Sequence, residues 1–113
     1  MTDKIFISIV APAFNEAENL PQLIDESAAA GQALGKDFEI IIANDDSDDD
    51  TSSVLDKLIS QTPQLRVLDM KKRSGQTAAL DATLRAARGK YIATLDADLQ
   101  NDPADIPRLV EIL

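Results

Sequence analysis

The amino-acid sequence predicts an α/β domain in three α/β/α layers, with a parallel sheet of about four strands at its centre. Three observations carry that expectation. Apolar, β-branched runs alternate with stretches of helical periodicity in the order βαβαβαβα. The second run, "FEIIIAN", is almost continuously apolar, as expected of a strand covered on both faces. A helical stretch separates each strand from the next, so the connections are right-handed crossovers with helices on both faces.

The first strand is read in "KIFISIVAPAF", ending near Pro12. Leu20, Leu23, Ile24 and Ala28 then follow i, i+3, i+4, i+8 spacing, an amphipathic helix closed by Gly31 or Gly35. Pro21 is tolerated there because it falls in the first turn after Asn19. After "FEIIIAN" and an acidic loop, Val54, Leu55, Leu58 and Ile59 mark a second helix, with Asp49 or Asp50 as its N-cap. "QLRVLDM" is a third strand, and "GQTAALDATLRAARG" a third helix, rich in Ala and Leu and ended by Gly89. "KYIATLD" is the fourth strand, Tyr91 to Leu95 reading as buried, and "DPADIPRLVEIL" begins a further helix. That helix reaches Leu113 without a C-cap. The pattern reads as the first half of a larger domain, while a natural small four-stranded domain fits the length equally well.

Bulk composition narrows the chemistry. The chain has 113 residues, enough for one small domain, with 44% hydrophobic and 27% charged residues, an ordinary globular mix. A net charge of −9 argues against a nucleic-acid partner, because phosphate backbones demand a basic face. It leaves room for a nucleotide ligand, since a bound divalent cation reverses the local sign. Without cysteine there is no disulfide framework or thiolate site, and without histidine no imidazole ligand or base. Any metal must be held by oxygen, which favours Mg²⁺, Mn²⁺ or Ca²⁺ over zinc. "MTDKIFISIV" lacks a signal-peptide layout, and no apolar run approaches the roughly 20 residues of a membrane span. The expectation is a soluble cytoplasmic piece.

Ligands of open parallel sheets bind beyond the carboxyl ends of the strands. Three of the four expected strand ends are polar: "APAFNEAEN", "ANDDSDDDT" and "LDADLQNDP". If the chain stays extended past Leu95, a period of two places Asp96, Asp98 and Gln100 on one side. Two carboxylates about 6.5 Å apart repel by roughly 2.5 kcal/mol at an effective dielectric near 20. A hard dication would relieve that and still leave coordination sites for a diphosphate. The same residues also fit a solvated turn capping the next helix through Asn101, Asp102 or Asp105. In "NDDSDDDT", Asp45 stands closest to the strand end and is the best candidate for a hydrogen bond to a base or ribose; Asp46, Asp48, Asp49 and Asp50 cannot all be ligands. The "KKR" cluster, Lys71 to Arg73, faces either a diphosphate or solvent.

Taken together, "IVAPAFNEAENLPQLI", "IIANDDSDDDT" and "RSGQTAALDATLRAARGKYIATLDADLQNDPADIPRLV" resemble the donor-binding half of a family 2 glycosyltransferase, within its polyprenyl-phosphate, dolichyl-phosphate mannose synthase-like branch. The resemblance covers nearly the whole chain. It implies a Rossmann-like fold of GT-A type, residues 1–113 forming the nucleotide-sugar-binding half of a longer domain. It implies that Pro12, Phe14 and Glu16 border the base and ribose, that Asp45 contacts the nucleoside, and that Gln76 belongs to the same nucleotide-binding set. Asp96 and Asp98 would be the catalytic D-x-D pair holding Mg²⁺ or Mn²⁺ against the diphosphate of a GDP- or UDP-sugar, with Gln100 completing the metal site. A polyprenyl-phosphate acceptor, peripheral association of the full-length protein with the inner face of the cell membrane, and a homo-oligomer are compatible with that branch. A lipid phosphate oxygen is already anionic, so a site without histidine would suit it.

The sequence departs from the family's V-D-D-G-S loop. Asn44 replaces its first Asp, Asp46 its Gly and Asp48 its Thr; Thr83 stands where Gly is common in the third helix, and Arg73 where Asn is common. Two rival readings are a phospho-acceptor receiver domain, which needs a fifth strand ending in Lys, and a non-catalytic nucleotide-binding protein.

Overall fold

The computed structural model describes residues 5–45, 50–70 and 75–95, the side chain of Gln76 excepted. Its seven elements are β1 (Ile7–Ala13), α1 (Leu20–Leu34), β2 (Phe38–Asn44), α2 (Thr51–Gln61), β3 (Leu65–Asp69), α3 (Gln76–Ala86) and β4 (Tyr91–Thr94). All strand pairs are parallel, and their order across the sheet is β3-β2-β1-β4. The chain therefore moves outward from β1 through β2 to β3, then returns to the other side of β1. That reversal between β1 and β4 is a topological switch point, the place where open α/β sheets bind ligands beyond the carboxyl ends of their strands.

Register and burial sort the side chains onto two faces. Ile7, Ile9 and Ala11 pair with Phe38, Ile40 and Ile42, and all six join one buried cluster with Leu20, Leu23 and Ile24 of α1 and Leu55 of α2. On the opposite face Val10, Ile41 and Ala43 are buried together with Ala79 and Thr83 of α3. The three-layer expectation holds, with α1 and α2 on one side and α3 on the other. Each fully buried Ile or Leu stabilises by about 1.5–3 kcal/mol, so most of the stability resides in the α1/α2 face.

Several boundaries differ from those read in the sequence. Of the two glycines proposed to close α1, Gly35 does so, at φ +67. Gly31 lies inside the helix, where a Cβ would meet the Phe38 ring at 2.4 Å. Asp50 takes the N-cap position of α2, but its side chain makes no capping hydrogen bond. Ile59, counted on that helix's apolar face, is 42% exposed. Helix α3 ends at Ala86 rather than at Gly89, because Ala87 is already extended. Gly89 instead permits close approach to β1, since a Cβ there would stand 2.5 Å from the Ser8 amide nitrogen. Strand β4, read in the sequence as buried, alternates between half-buried and exposed residues in the described structure, with Ile92 44% exposed. The helix expected after "DP" lies outside the described residues.

The α3 face holds a polar cluster that the apolar look of "FEIIIAN" concealed. Glu39 is 3% exposed. Its Oε2 accepts hydrogen bonds from Ser8 Oγ at 2.6 Å and from the Arg88 amide at 2.7 Å. Its Oε1 receives Arg66 Nη1 at 2.7 Å. Arg66 Nη1 also reaches the Ala86 carbonyl at 3.2 Å, and the Gly89 amide donates to Ser8 Oγ at 2.8 Å. Burial raises the Glu39 pKa, but the hydrogen bonds from Ser8, Arg88 and Arg66, with the Arg66 charge, outweigh it and hold the carboxyl below its ordinary value.

A carboxylate whose pKa is lowered by folding contributes stability that is complete above its unfolded-state value and is lost as pH falls through the folded one. Urea midpoints measured from pH 7 down to pH 3 should therefore fall more steeply below about 4.5 for the wild type than for Glu39→Gln. At pH 7 the variant should be less stable by about 1–2 kcal/mol.

Candidate functional site

The described residues at the carboxyl ends of β1, β2 and β3 are joined to one another and to the starts of α2 and α3 by side-chain hydrogen bonds. Strand β1 ends in buried Pro12 and Ala13, followed by half-buried Phe14. Asn15 then takes φ +54, a left-handed state that Asn tolerates better than most residues. That turn directs the Glu16 amide to the Thr51 hydroxyl oxygen at 3.1 Å, and Thr51, the first residue of α2, is fully buried. The Glu16 carbonyl receives the amides of Asn19 and Leu20, both at 3.1 Å, while Asn19 Nδ2 donates to Glu16 Oε2 at 2.9 Å. Asn19 occupies the N-cap of α1 but makes no side-chain capping bond. Its amide grips Glu16 instead, setting a carboxylate beside the helix N-terminus, where negative charge is favoured.

Strand β2 delivers two side chains in opposite directions. Asn44, 3% exposed, donates from Nδ2 to Ser52 Oγ of α2 at 2.9 Å and, at a longer 3.4 Å, to Asp69 Oδ1 at the end of β3. Asp45, also 3% exposed, accepts the Gly75 amide on Oδ2 at 2.9 Å. Backbone bonds complete the shelf: the Asp45 amide donates to Ala13 O and the Met70 amide to Asn44 O, both at 2.9 Å. At the other side of the switch point, the Leu95 amide bonds Val10 O at 2.9 Å. Asp96 is the next residue along the chain.

Of the residues singled out in the sequence, the structure brings Pro12, Phe14, Glu16 and Asp45 to one edge of the sheet. Gln76 opens α3 at the same edge. Asp96, Asp98, Gln100, the Asp46–Asp49 stretch and the Lys71–Arg73 cluster lie outside the described residues. Among the described residues no group of three or more Asp, Glu, His or Cys side chains could hold a metal ion. Sequence reading passed over Thr51, Ser52, Asn19 and Asp69, which hold the loops together. Only the E-x-x-N spacing of Glu16 and Asn19 offered a signal for them, since Ser and Thr at a helix start are too common to single out.

A parallel 3-2-1-4 sheet with a switch point between β1 and β4 is an open α/β framework, a kind that takes ligands beyond the carboxyl ends of its strands. The model of the Glycosyl transferase family 2 family matches residues 8–113, and the chain belongs to that family. It is 43% identical over 105 residues to an undecaprenyl-phosphate 4-deoxy-4-formamido-L-arabinose transferase of Enterobacter sp. (strain 638), covering 92% of this chain and 32% of that protein. It is 40% identical over 108 residues to the dodecaprenyl-phosphate galacturonate synthase of Rhizobium johnstonii, covering 95% and 32%. The chain thus spans about a third of the length of these curated relatives. The fold matches the mannosyltransferase PcManGT of Pyrobaculum calidifontis, solved with GDP-Man and Mn²⁺, at a TM-score of 0.81 and 24% identity, covering 97% of this chain and 32% of that one. It also matches S. aureus TarS solved with UDP, at 0.77 and 20% identity, covering 95% and 31%. Family membership decides against the receiver-domain reading.

The Asn44 contacts give a reason for one departure from the family loop. An Asp there could donate to neither Ser52 nor Asp69 and would set two carboxylates side by side. Asn44→Asp should destabilise the chain by about 1–2 kcal/mol at pH 7 in urea denaturation. Adding Asp69→Asn should recover part of the loss.

Proposed function

We propose that this chain is the donor-binding part of a glycosyltransferase that takes a nucleoside-diphosphate sugar, GDP- or UDP-linked, together with a divalent cation. The observation that carries this reading is the tying of the β1, β2 and β3 ends to one another and to the α2 and α3 N-termini, at the sheet edge where β4 leads on to Asp96. Pro12, Phe14, Glu16, Asp45 and Gln76 border the nucleoside.

The donor set suits Mg²⁺ or Mn²⁺. The chain has no histidine or cysteine, and every candidate ligand is a hard oxygen: Asp96, Asp98 and Gln100. Such an ion, when bound, supplies positive charge against the diphosphate leaving group. In the intact enzyme an acceptor oxygen attacks the anomeric carbon, and the nucleoside diphosphate departs with the electrons of the broken glycosidic bond. The curated relatives are named for polyprenyl-phosphate acceptors, which supports a lipid phosphate here. Its oxygen is already anionic, so no strong base is needed to activate it. No described helix is long and apolar enough to cross a membrane. On this reading the full-length protein works from the cytoplasm at the inner face of the membrane, where such a lipid would be presented, and a homo-oligomer is compatible with it.

Calorimetry with Mn²⁺ and a panel of UDP- and GDP-sugars tests the reading. Binding of at least one donor should require the metal, and Asp96→Asn or Asp98→Asn should weaken it about tenfold or more, some 1.4 kcal/mol. Binding indifferent to both substitutions would refute the assignment.

A further inference from the structure

Asn19 stands at the N-cap of α1, a position that favours asparagine because its side-chain oxygen can accept an amide of the first turn. Here it makes no such bond. One of the two amides that could meet it belongs to the second helical residue, which is Pro21 and has no N–H. The Asn19 backbone is itself helical, at φ −92 and ψ −23, rather than extended as a capping residue's usually is. Its Nδ2 donates instead to Glu16 Oε2 at 2.9 Å. Chemistry fixes that orientation, since only the donor end of an amide can meet a carboxylate oxygen.

Glu16 is held at almost every polar atom. Its amide donates to Thr51 Oγ1, and its carbonyl receives the amides of Asn19 and Leu20, all at 3.1 Å. Oε2 is taken by Asn19. Oε1 has no hydrogen-bond partner among the described residues, although the side chain is half-buried. One oxygen is clamped and the other is left as an acceptor, on a backbone that cannot shift. An ionised carboxylate accepts only, so its partner must be a donor. In a nucleoside diphosphate the phosphates are excluded by charge, and the ribose hydroxyls are donors that can supply a charge-assisted bond.

We infer that Asn19 is a positioning residue for the donor's ribose: its side-chain amide clamps Glu16 Oε2 and so aims Oε1 at the ribose hydroxyls. The inference rests on the donor-site reading above, in which Glu16 borders the nucleoside. It gives a reason for an asparagine that does not cap its own helix. It also separates two roles that a simple loss of stability would confuse. A residue that only starts α1 affects every ligand alike, whereas one that aims a carboxylate at hydroxyls matters only when the hydroxyls are present.

The test uses calorimetry with Mn²⁺ on the full-length protein, comparing UDP and GDP with their dideoxy analogues, which lack both ribose hydroxyls. The proteins are wild type, Asn19→Ala, Asn19→Asp, Glu16→Ala and the double Ala variant. Asn19→Asp keeps the size of the side chain and a favoured helix-start residue but cannot donate to Glu16. The wild type should bind UDP or GDP about tenfold or more tightly than the matching analogue, as a hydrogen bond to a charged acceptor provides. Both Asn19 variants should reduce that preference to about threefold or less. In the Glu16→Ala background, Asn19→Ala should leave the preference unchanged, because both act through one contact. Should Asn19→Ala not fold, Asn19→Asp decides the matter. The inference is overturned if the Asn19 variants weaken ribose and dideoxy forms equally, if the losses in preference multiply in the double variant, or if the wild type ignores the hydroxyls. Each of those results leaves the proposed function standing. A wild type that binds neither UDP nor GDP in the presence of Mn²⁺ defeats the proposed function and this inference together.

Discussion

The strands of this sheet are held in their places by one buried carboxylate. Glu39 on β2 accepts from Ser8 on β1, from Arg66 on β3 and from the Arg88 amide just before β4. Arg66 adds the last carbonyl of α3, at Ala86. Four segments of the chain thus meet at one side chain near the amino ends of the strands, and Arg66 links a fifth, the end of α3. Apolar burial supplies more free energy, at about 1.5–3 kcal/mol for each Ile or Leu, but it is indifferent to small slips along the strands. Hydrogen bonds to an ionised group are directional, and leaving them unmade inside the protein costs more than their net worth when formed. The core makes the sheet stable, and Glu39 decides where each strand stands.

That division has a consequence at the far edge. Because β1, β2 and β4 are fixed in parallel register, their carboxyl ends emerge together, and the chain reverses direction across the sheet between β1 and β4. Loops at such an edge tend to be mobile unless tied. Here Thr51 holds the β1–α1 turn, Asn44 joins α2 to the end of β3, and Asp45 reaches the start of α3. None of these side chains is free to wander, since all three are buried to 3% exposure or less. The backbone strain at Asn15 and Gly75 falls at the same edge, which is where functional sites commonly hold unusual conformations. A rigid lower shelf of this kind suits a ligand that must be oriented before a group is transferred from it.

Much of this was legible in the residues. Alternation of apolar runs and helical spacing gave the strand and helix order, because burial on both faces and on one stripe leave different periods. The polar strand ends pointed to the edge at which Glu16, Asn44 and Asp45 make their hydrogen bonds. What escaped notice was long-range. Glu39 sits in a run that reads as apolar, and its partners lie 27 to 49 residues away. Gly89 looked like a helix terminator, yet its small size serves contact with Ser8, 81 residues distant. Ile92 read as buried within the apolar run Tyr91 to Leu95, but its side chain remains open among the described residues. Local patterns report what a residue favours; they are silent about which distant segment will claim it.

The claim on which the functional account turns is that a dication and a nucleotide meet where β4 ends. Paramagnetic broadening by Mn²⁺, read residue by residue in an amide-resolved spectrum with a UDP- or GDP-sugar present, addresses it most directly. The account predicts that signals from residues 96–100 disappear first and those of residues 12–16 and 75–76 next, while Arg88, Gly89 and Lys90 at the opposite edge stay sharp. Broadening centred on the acidic stretch 46–50, or spread evenly over the surface, would contradict it.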